Sequence, residues 1–389
     1  MRKIKVLHIS PDSVIHGTER HILSILKYID LNEFESFVAL PSEGDFKTEL
    51  GRMNIKTFIA GRKHGYKSKL EGLFGNDTRA LYNLVRKEKF DIVHSHLNSY
   101  GGIIAKLAGA PAIVHTRHGV FWDEKDLNDI SFLSRNFQKL KSKVFDKTIA
   151  IGKYEENTLT EKFNYSPNKI SRTINGVDIE EINSKVNKLK TKEELFGTSD
   201  LIIGLVVRLE RQKGLDYLLD AVNLIKDRID GITFVVIGSG SLKNELITKR
   251  DMLGLEDKIF FLDYKKNILD YVYNFDFMIL TSLWEGLSYA VQEAMALSKP
   301  VIALTSPNVS GVKEIIVHGQ TGFLIETDYA KELAKHIMIL AKDINLRLKF
   351  GRASREREKE FFPERQTASD MENVYRELFK ASNTRDLKI

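Results

Sequence analysis

The sequence predicts an α/β protein built from two doubly wound parallel sheets in tandem. Short apolar runs alternate with helix-like stretches along all 389 residues, and this alternation restarts near the middle of the chain. A β-α-β-α rhythm is typical of parallel sheets with helices on both faces. The length also favours two domains over one. We place the boundary between residues 175 and 176, in "NKISRTINGVDIEEI", where "NG" indicates a turn.

The first half, residues 1–175, contains six apolar runs of strand length, separated by helical patterns such as "TERHILSILKYI". The predicted strands are "KVLHIS" (5–10), "ESFVAL" (35–40), "IKTFIA" (55–60), "DIVHSH" (91–96), "AIVHTRH" (112–118) and "KTIAIG" (147–152). Together they predict one sheet and one domain.

The second half, residues 176–363, repeats the pattern. The predicted strands are "LIIGLVVR" (201–208), "TFVVIGSG" (233–240), "KIFFLD" (258–263), "FMILTS" (277–282), "PVIALT" (300–305) and "GFLIE" (322–326). The predicted helices are 214–229, 241–253, 266–273, 288–297 and 329–343. A last helix, about 364–389, lies past the second sheet, and we expect it to pack back onto the first domain.

Composition excludes several classes of protein. The chain has no cysteine, so disulfides and thiolate metal sites are excluded. No apolar stretch approaches the roughly 18 residues that a membrane span needs. The N-terminal "MRKIKVLHIS" predicts a strand and not a signal peptide, because its apolar run is short and lacks a cleavage site. We therefore expect a cytoplasmic protein.

The positive charge lies in the first domain. Residues 1–175 hold 28 Lys and Arg against 20 Asp and Glu, whereas the remainder holds 31 against 33. A basic half favours an anionic partner or surface, although solvated lysines explain the same excess. A nucleic-acid partner is not expected, since the excess is modest and no recognisable nucleic-acid motif accompanies it.

The basic stretch "SRNFQKLKSKVFDK" (134–147) has two interpretations. Its apolar residues Phe137, Leu140, Val144 and Phe145 lie among lysines, which suits a helix lying on the inner face of an anionic membrane. The alternative is a helix that buries its apolar side chains in the core and exposes its lysines. We slightly prefer the alternative, and the membrane interpretation stays open.

Candidate ligand-binding residues follow the strands, because ligands in open α/β sheets bind at the carboxyl ends of strands. In "VVRLERQKG", Arg208 closes a strand, and Lys213 and Gly214 open the next helix. Two cations beside a helix N-terminus predict a site for a pyrophosphate. The alternative, ordinary surface cations, is less consistent with their place at a strand end.

A second candidate is "WEGLSYAVQEAMALSKPVIA" (284–303). Glu285 follows a buried strand, Gly286 leaves the backbone open to a ligand, and Glu293 lies among apolar residues. Eight residues span little more than two helical turns, so we expect both carboxylates on one side. Because an unpaired buried carboxylate is costly, hydroxyls of a sugar or ribose are the predicted partners, with local pairing as the alternative.

The remaining candidates are weaker. Gly17 opens a helix after the first strand and lets backbone N–H groups approach an anion. His118, in "HTRHG" after the fifth strand, can bond a sugar hydroxyl or a phosphate, although a structural role is the alternative. Gly238 and Gly240 form a lone G-x-G that fits a phosphate loop or simply a tight turn.

These motifs together resemble the retaining nucleotide-sugar glycosyltransferases of family four, which have the GT-B fold of two Rossmann-like domains facing each other across a cleft. The resemblance covers almost the whole chain. It rests on "HGTER", "HTRHG", "INGVD", "VVRLERQKG", "EGLSYAVQEAMALSKPVIA" and "GQTGFLI".

The resemblance implies a role for each motif. Arg208 and Lys213 would bind the donor diphosphate, Glu285 the donor sugar, and Glu293 the ribose hydroxyls. Further contacts with the donor are implied for the backbone N–H groups of Gly286, Leu287 and Ser288, for His118 near the reacting carbon, and for Gly17 at the phosphates.

The resemblance further implies a UDP-sugar donor, retention of anomeric configuration, and no cofactor or metal. A lipid-linked acceptor follows if the basic domain meets a membrane. The chain departs from the family pattern at His16, Val207, Leu287 and Ser288, which affects loop geometry and sugar specificity but removes no charge. Two alternatives stay open: a GT-B nucleotide-sugar epimerase, and a nucleotide-sugar-binding protein without transfer activity.

Overall fold

The computed structural model describes residues 2–61, 75–119, 127, 129–306 and 311–386. Its chain divides into two compact units. The first unit holds the described residues up to Gly119, those of Leu127–Asn175, and those from Glu364 onward. The second unit holds Gly176–Pro363.

The first unit is built on a parallel sheet in the order β3-β2-β1-β4-β5-β6-β7. The strands are β1 (Ile4–Ile9), β2 (Phe34–Leu40), β3 (Lys56–Ile59), β4 (Ile92–His96), β5 (Ala112–Thr116), β6 (Lys147–Ile151) and β7 (Ile170–Thr173). The α-helices that the chain forms between them are α1 (Gly17–Tyr28), α2 (Asp45–Arg52), α3 (Asn76–Glu88), α4 (Tyr100–Leu107), α5 (Phe132–Ser142) and α6 (Lys153–Asn157).

The second unit repeats the plan with a parallel sheet in the order β10-β9-β8-β11-β12-β13. The strands are β8 (Leu201–Val206), β9 (Ile232–Ile237), β10 (Ile259–Leu262), β11 (Phe277–Leu280), β12 (Val301–Leu304) and β13 (Gly322–Ile325). The α-helices are α7 (Ile179–Lys185), α8 (Lys192–Phe196), α9 (Leu215–Asn223), α10 (Lys243–Met252), α11 (Ile268–Asn274), α12 (Tyr289–Ala296), α13 (Val312–Ile315), α14 (Tyr329–Lys342) and α15 (Ile344–Phe361).

The last helix, α16 (Glu364–Asp386), belongs to the first unit. Its buried Met371, Val374, Tyr375 and Leu378 lie in one core cluster with residues of β1, α1 and β4. The Tyr375 hydroxyl also bonds the His94 ring at 2.7 Å, inside the core. Helix α16 therefore packs on the first sheet.

Each sheet has a point where the strand order reverses, between β1 and β4 in the first unit and between β8 and β11 in the second. Loops leaving neighbouring strands in opposite directions open a crevice there, which is where α/β proteins bind ligands. The residues that follow β1 and β4, and those that follow β8 and β11, are therefore the places to look for a site.

The predicted fold class, two doubly wound parallel sheets, is confirmed, and individual boundaries shift. The predicted helix 214–229 ends at Asn223, and β7 and the long helix α15 were missed. The strand predicted over 201–208 ends at Val206, which leaves Arg208 in the following loop. A second stretch in which the basic residues of the first domain concentrate, "GRMNIKTFIAGRKHGYKSKL" (51–70), lies in part outside the described residues, since 62–74 are not described.

Candidate functional site

The loops after β8 and β11 are tied to each other at the crevice of the second sheet. The Thr281 hydroxyl donates to the Lys213 carbonyl at 2.6 Å, and the Leu283 N–H donates to the Gln212 carbonyl at 2.9 Å. The Gln212 amide in turn donates to the Trp284 carbonyl at 2.9 Å. These bonds hold Lys213 and Glu285, which are far apart in sequence, on one rigid frame.

Lys213 and Glu285 form an ion pair on that frame, with 2.5 Å between Nζ and Oε2. Both side chains are largely sheltered, at 11% and 17% exposed. The sequence predicted candidate roles for both residues but not that they pair with each other. A pair of this kind presents an ammonium that an anionic ligand can take over, and a carboxylate that can then accept hydroxyl protons.

Gly214 makes the position of Lys213 possible. Its φ of +56° lies in the left-handed region, and a Cβ there would come within 2.4 Å of the Thr281 carbonyl oxygen. Both features select glycine. The backbone turns sharply at this residue, and α9 begins at Leu215.

Arg208 lies exposed in the loop after β8, at the same edge of the sheet. Beside it, two hydrogen bonds from Ser241 to the Glu210 carboxylate lower the pKa of Glu210, and the charge of Arg208 adds a smaller effect in the same direction. An exposed guanidinium at this edge is available for a ligand phosphate.

The segment Gly286–Ser288 leads into α12, whose N-cap is Ser288. A Cβ at Gly286 would meet open space, so the backbone there is accessible. The Leu287 side chain is buried, which leaves its backbone N–H as the group that can reach a ligand. The first turn of α12 offers further N–H groups to an anion or a hydroxyl.

The helix predicted over 288–297 is confirmed as α12, and the expectation that Glu285 and Glu293 face one side stays a prediction. Glu285 precedes α12 and lies outside any helix, whereas Glu293 lies within α12 and is buried. Helical spacing therefore does not relate the two carboxylates. Their positions depend on the loop that Lys213 and Gln212 hold in place.

The glycines of the lone G-x-G motif have a packing role. A Cβ at Gly238 would come within 1.9 Å of the Val207 carbonyl oxygen, and one at Gly240 within 2.4 Å of the Leu209 carbonyl oxygen. The Leu209 N–H also donates to the Ser239 carbonyl at 2.9 Å. Close approach of two backbones thus accounts for both glycines, as the tight-turn interpretation requires.

In the first unit, the loop after β1 leads to α1, which begins at Gly17 as predicted. Its N-cap is His16, and Glu19 accepts a bond from the His16 N–H at 3.1 Å. The Glu19 carboxyl also accepts from the Ser10 hydroxyl at 2.9 Å. Burial raises the pKa of Glu19 to about 7 despite these bonds.

Five histidines gather at the crevice of the first sheet. His8 lies beside His94 in the pairing of β1 with β4. His94 and His96 are two residues apart on β4 and so lie on the same face of the sheet, with their ring centroids 4.0 Å apart. His21 of α1 and His118 after β5 complete the group, which we call the imidazole cluster. Sequence reasoning found only His118, although the i, i+2 spacing in "HSH" at a strand end is a signal for two others.

Hydrogen bonds link the imidazole cluster internally. His118 Nε2 lies 3.1 Å from His96 Nδ1, and His96 Nε2 lies 3.2 Å from His8 Nδ1. Burial is the main cause that lowers the pKa of every ring in the cluster, to about 3 for His8 and about 4 for His21. The rings are therefore neutral at pH 7.

His118 itself has a left-handed backbone, with φ of +64°. This conformation is costly for a residue with a Cβ and is typical of positions held for function. His115, which lies in β5, instead points into the core. It stacks on Phe145 with ring centroids 4.5 Å apart and donates to the Ser95 carbonyl. Of the polar residues in "HTRHG", His118 is the one that joins the cluster.

Two known family models match most of the chain. Glycosyltransferase Family 4 matches residues 15–181, and Glycosyl transferases group 1 matches residues 186–357. An uncharacterized glycosyltransferase of Methanocaldococcus jannaschii is 30% identical over 306 residues, 76% of this chain and 78% of that protein. The chain belongs to the family 4, group 1 glycosyltransferases. It is therefore a transferase, and the resemblance stated from the motifs is confirmed.

Other similar proteins agree with this family. An Escherichia coli UDP-Gal:α-D-GlcNAc-diphosphoundecaprenol α-1,3-galactosyltransferase is 27% identical over 336 residues, 83% of this chain and 84% of that enzyme. A Rickettsia africae glycosyltransferase has a TM-score of 0.80 at 21% identity, over 98% and 100% of the two chains. Anabaena HepE with UDP-glucose has a TM-score of 0.78 at 19% identity, over 95% and 99%. These structures confirm the GT-B fold.

Membership of the family does not by itself establish the role of any single residue. The functions of Arg208, Lys213, Glu285, Glu293 and His118 stay predictions, as do retention of configuration and independence of metal. Within the described ranges, the glycosyltransferase has no helix long and apolar enough to cross a membrane.

Proposed function

We propose that this glycosyltransferase transfers a sugar, with retention of configuration, from a UDP-sugar to a lipid-linked acceptor in cell-surface glycan synthesis. The observation that carries the proposal is the Lys213–Glu285 ion pair at the crevice of the second sheet. It joins the two groups that sugar transfer needs, a cation for the leaving diphosphate and a carboxylate for the sugar.

The donor binds along the loops after β8 and β11. Lys213 and Arg208 hold the diphosphate, and Glu285 accepts hydrogen bonds from the sugar. Backbone N–H groups of Gly286, Leu287 and Ser288 bind the same sugar, and Glu293 binds the ribose. When the donor arrives, the Lys213 ammonium moves from one anion, Glu285, to another, the diphosphate, so its charge stays compensated.

Negative charge grows on the diphosphate as the bond to the anomeric carbon breaks. Arg208, Lys213 and the N-terminus of α12 stabilise this charge by electrostatics that are set before reaction. Protein cations supply this stabilisation, so transfer is proposed to need no metal. In the first unit, we propose that His118 contacts a hydroxyl of the donor sugar and that the loop at Gly17 contacts the phosphates, as the family resemblance implies.

The acceptor is proposed from the names of relatives. The E. coli relative acts on a GlcNAc-diphosphoundecaprenol, and a Campylobacter jejuni relative, 26% identical over 240 residues, is also named for a diphospho-undecaprenol acceptor. A polyprenyl-diphosphate glycan is the shared chemistry. Such an acceptor is embedded in a membrane, so the enzyme must work at a bilayer surface.

Helix α5 exposes apolar side chains that can contact a bilayer. The preferred expectation of a core-facing helix is wrong for Phe137 and Leu140, which are 65% and 62% exposed, although Phe145 is buried as that expectation required. Phe132 and Leu133 at the start of α5 are exposed as well. Exposed aromatic and aliphatic side chains among lysines suit an anionic membrane. We propose that α5 rests on the inner face of the bilayer.

Removing these four side chains is expected to weaken binding to anionic vesicles about tenfold or more, because each loses apolar area that the bilayer buries. The variant changes Phe132, Leu133, Phe137 and Leu140 to Ser, and sedimentation with phosphatidylglycerol vesicles is the measurement. Leu189→Ser with Met252→Ser, two exposed apolar residues of the second unit, is the control. Equal binding of variant and wild type would disprove the membrane role of α5.

A thermal-shift panel of UDP-, GDP- and ADP-sugars without added metal tests the donor site. A ligand that binds only the folded state raises the Tm. We expect UDP-sugars to raise the Tm of wild type, and Arg208→Ala to lose most of that shift. Arg228→Ala is the matched control. Arg228 is an exposed arginine shortly before β9, and so lies at the amino-terminal ends of the strands, away from the candidate site at their carboxyl ends.

The products then separate the alternatives. Transfer to a polyprenyl-diphosphate sugar supports the proposal, whereas release of free nucleotide with an altered sugar identifies an epimerase. Donor binding with neither product identifies a nucleotide-sugar-binding protein. Failure of every nucleotide sugar to shift the Tm, at millimolar concentration and with acceptor present, would refute the donor-site assignment.

A further inference from the structure

The imidazole cluster holds more histidines than sugar transfer uses. The family resemblance gives a role to His118 alone, yet His8, His21, His94 and His96 lie fully buried beside it. Buried polar rings are costly unless their nitrogens find partners. The pattern of partnered and unpartnered nitrogens shows what the cluster can bind.

His94 has no nitrogen to offer a ligand. Its Nδ1 bonds the Tyr375 hydroxyl and its Nε2 bonds the Thr116 hydroxyl, each at 2.7 Å. A metal on His94 would leave the hydroxyl of Tyr375 or Thr116 without its buried partner, whereas a metal on His96 and His118 replaces only the bond between those two rings. This leaves His21, His96 and His118, whose ligand nitrogens all lie within 4.8 Å of one another.

His21 is oriented as a metal ligand would be. Its Nδ1 donates to the amide oxygen of Asn175 at 2.8 Å, so its Nε2 carries the free electron pair. This Nε2 is buried and has no hydrogen-bond partner among the described residues. Metal-binding histidines almost always donate their other ring N–H to an oxygen in this way, which fixes the ring and its tautomer.

His96 and His118 have nearly the spacing that a shared metal imposes. Their facing nitrogens, Nδ1 and Nε2, are 3.1 Å apart. Two nitrogens bound tetrahedrally to zinc at about 2.0–2.1 Å lie about 3.3 Å apart. His96 also has a support for its other nitrogen, because its Nε2 can donate to His8 Nδ1 at 3.2 Å.

We propose that His21, His96 and His118 form a site for one divalent transition metal of the zinc class. Imidazole nitrogens suit zinc, copper and nickel. Three histidines leave a fourth position for water, and His118 is the ligand that is partly exposed, so this position faces its side of the cluster.

Metal at this site would occupy His118. If His118 serves the donor sugar as proposed above, bound zinc inhibits transfer. This consequence depends on the proposed function, whereas metal binding itself does not. The two claims therefore fail separately: zinc can bind without inhibiting, and transfer can occur without zinc having any site.

Zinc binding is measured on the full chain without an affinity tag, by competition with a chromophoric chelator. We expect about one tight Zn²⁺ per chain. Co²⁺ in its place should give the intense visible bands of a four-coordinate ion. His118→Asn, at the most accessible ligand, should abolish tight binding, and Asn175→Ala should weaken it about 10–100-fold through the lost support of His21.

The matched control is His115→Asn, which removes a buried histidine of the same sheet outside the cluster and should leave zinc binding unchanged. The Tm of each variant shows whether it folds. Unchanged zinc binding in folded His118→Asn and Asn175→Ala would overturn the site, as would wild-type protein that binds no zinc or shows only six-coordinate cobalt.

Discussion

Glu285→Gln is expected to lower kcat by about 10²–10³-fold while leaving UDP bound at least as tightly as in wild type. The carboxylate acts on the sugar, so its loss removes stabilisation of the transition state. UDP lacks the transferred sugar, and without Glu285 the Lys213 ammonium loses its 2.5 Å partner. A diphosphate then meets a sheltered cation that no longer has a competing carboxylate.

The measurement combines steady-state kinetics with UDP binding by calorimetry. Glu332→Gln is the control, because it removes an exposed carboxylate that pairs with Lys335 on α14 and should change neither quantity. Glu293→Gln should instead raise the KM for the donor with a smaller loss of kcat, since its proposed partner is the ribose. Loss of UDP binding in Glu285→Gln would contradict the exchange of partners by Lys213.

The first unit is expected to lose stability as the pH falls from 7 to 5, with the strands of the second unit less affected. Burial lowers the pKa of His8 and His115 to about 3 and that of His21 to about 4. The unfolded chain binds protons on these rings below about pH 6.5, whereas the folded chain does not. Protonation therefore favours unfolding throughout the interval between these values.

The expected loss is about 2 kcal/mol at pH 5 for each of these three rings. Glu19 acts in the opposite direction, because its folded pKa of about 7 lies above its unfolded value. Its destabilising effect diminishes as the pH falls through this range. This restores about 2 kcal/mol of stability, which offsets the loss caused by one of the histidine rings. A net loss of several kcal/mol remains.

Hydrogen exchange at pH-corrected rates locates the effect. Peptides from β4 and β5 should lose protection at pH 5, while peptides from β8 and β11 serve as the internal control. His115→Asn removes one of the titrating rings, so its loss of stability between pH 7 and 5 should be about 2 kcal/mol smaller than that of wild type. Equal protection of β4 and β5 at both pH values would contradict buried neutral imidazoles.

The sequence was a reliable guide wherever structure depends on near neighbours. Apolar runs of strand length predicted twelve strands close to those observed, because such runs are buried on both faces of a parallel sheet. The prediction from sequence failed at β7, a four-residue strand with one apolar residue, and at α15, a helix rich in charged side chains. Neither segment has the apolar pattern on which the prediction depended.

Because Lys213 and Glu285 each follow a strand, the sequence predicted without coordinates that the two residues lie close together. That they form an ion pair could not be predicted, because 72 residues separate them and the strand order brings β8 beside β11. The eight-residue spacing of Glu285 and Glu293 does not by itself set their relative positions, because α12 begins between them and helical geometry does not extend to Glu285.

By itself, then, the sequence determined the α/β class, the two sheets, the family and the strand ends that carry charge. Only the tertiary structure decided which side chains face one another: five histidines from β1, α1, β4 and the loop after β5 in one cluster, and Phe137 and Leu140 on the surface. The physical reason is range. Periodicity and turn chemistry act over a few residues, whereas strand order and register set contacts between residues far apart in the chain.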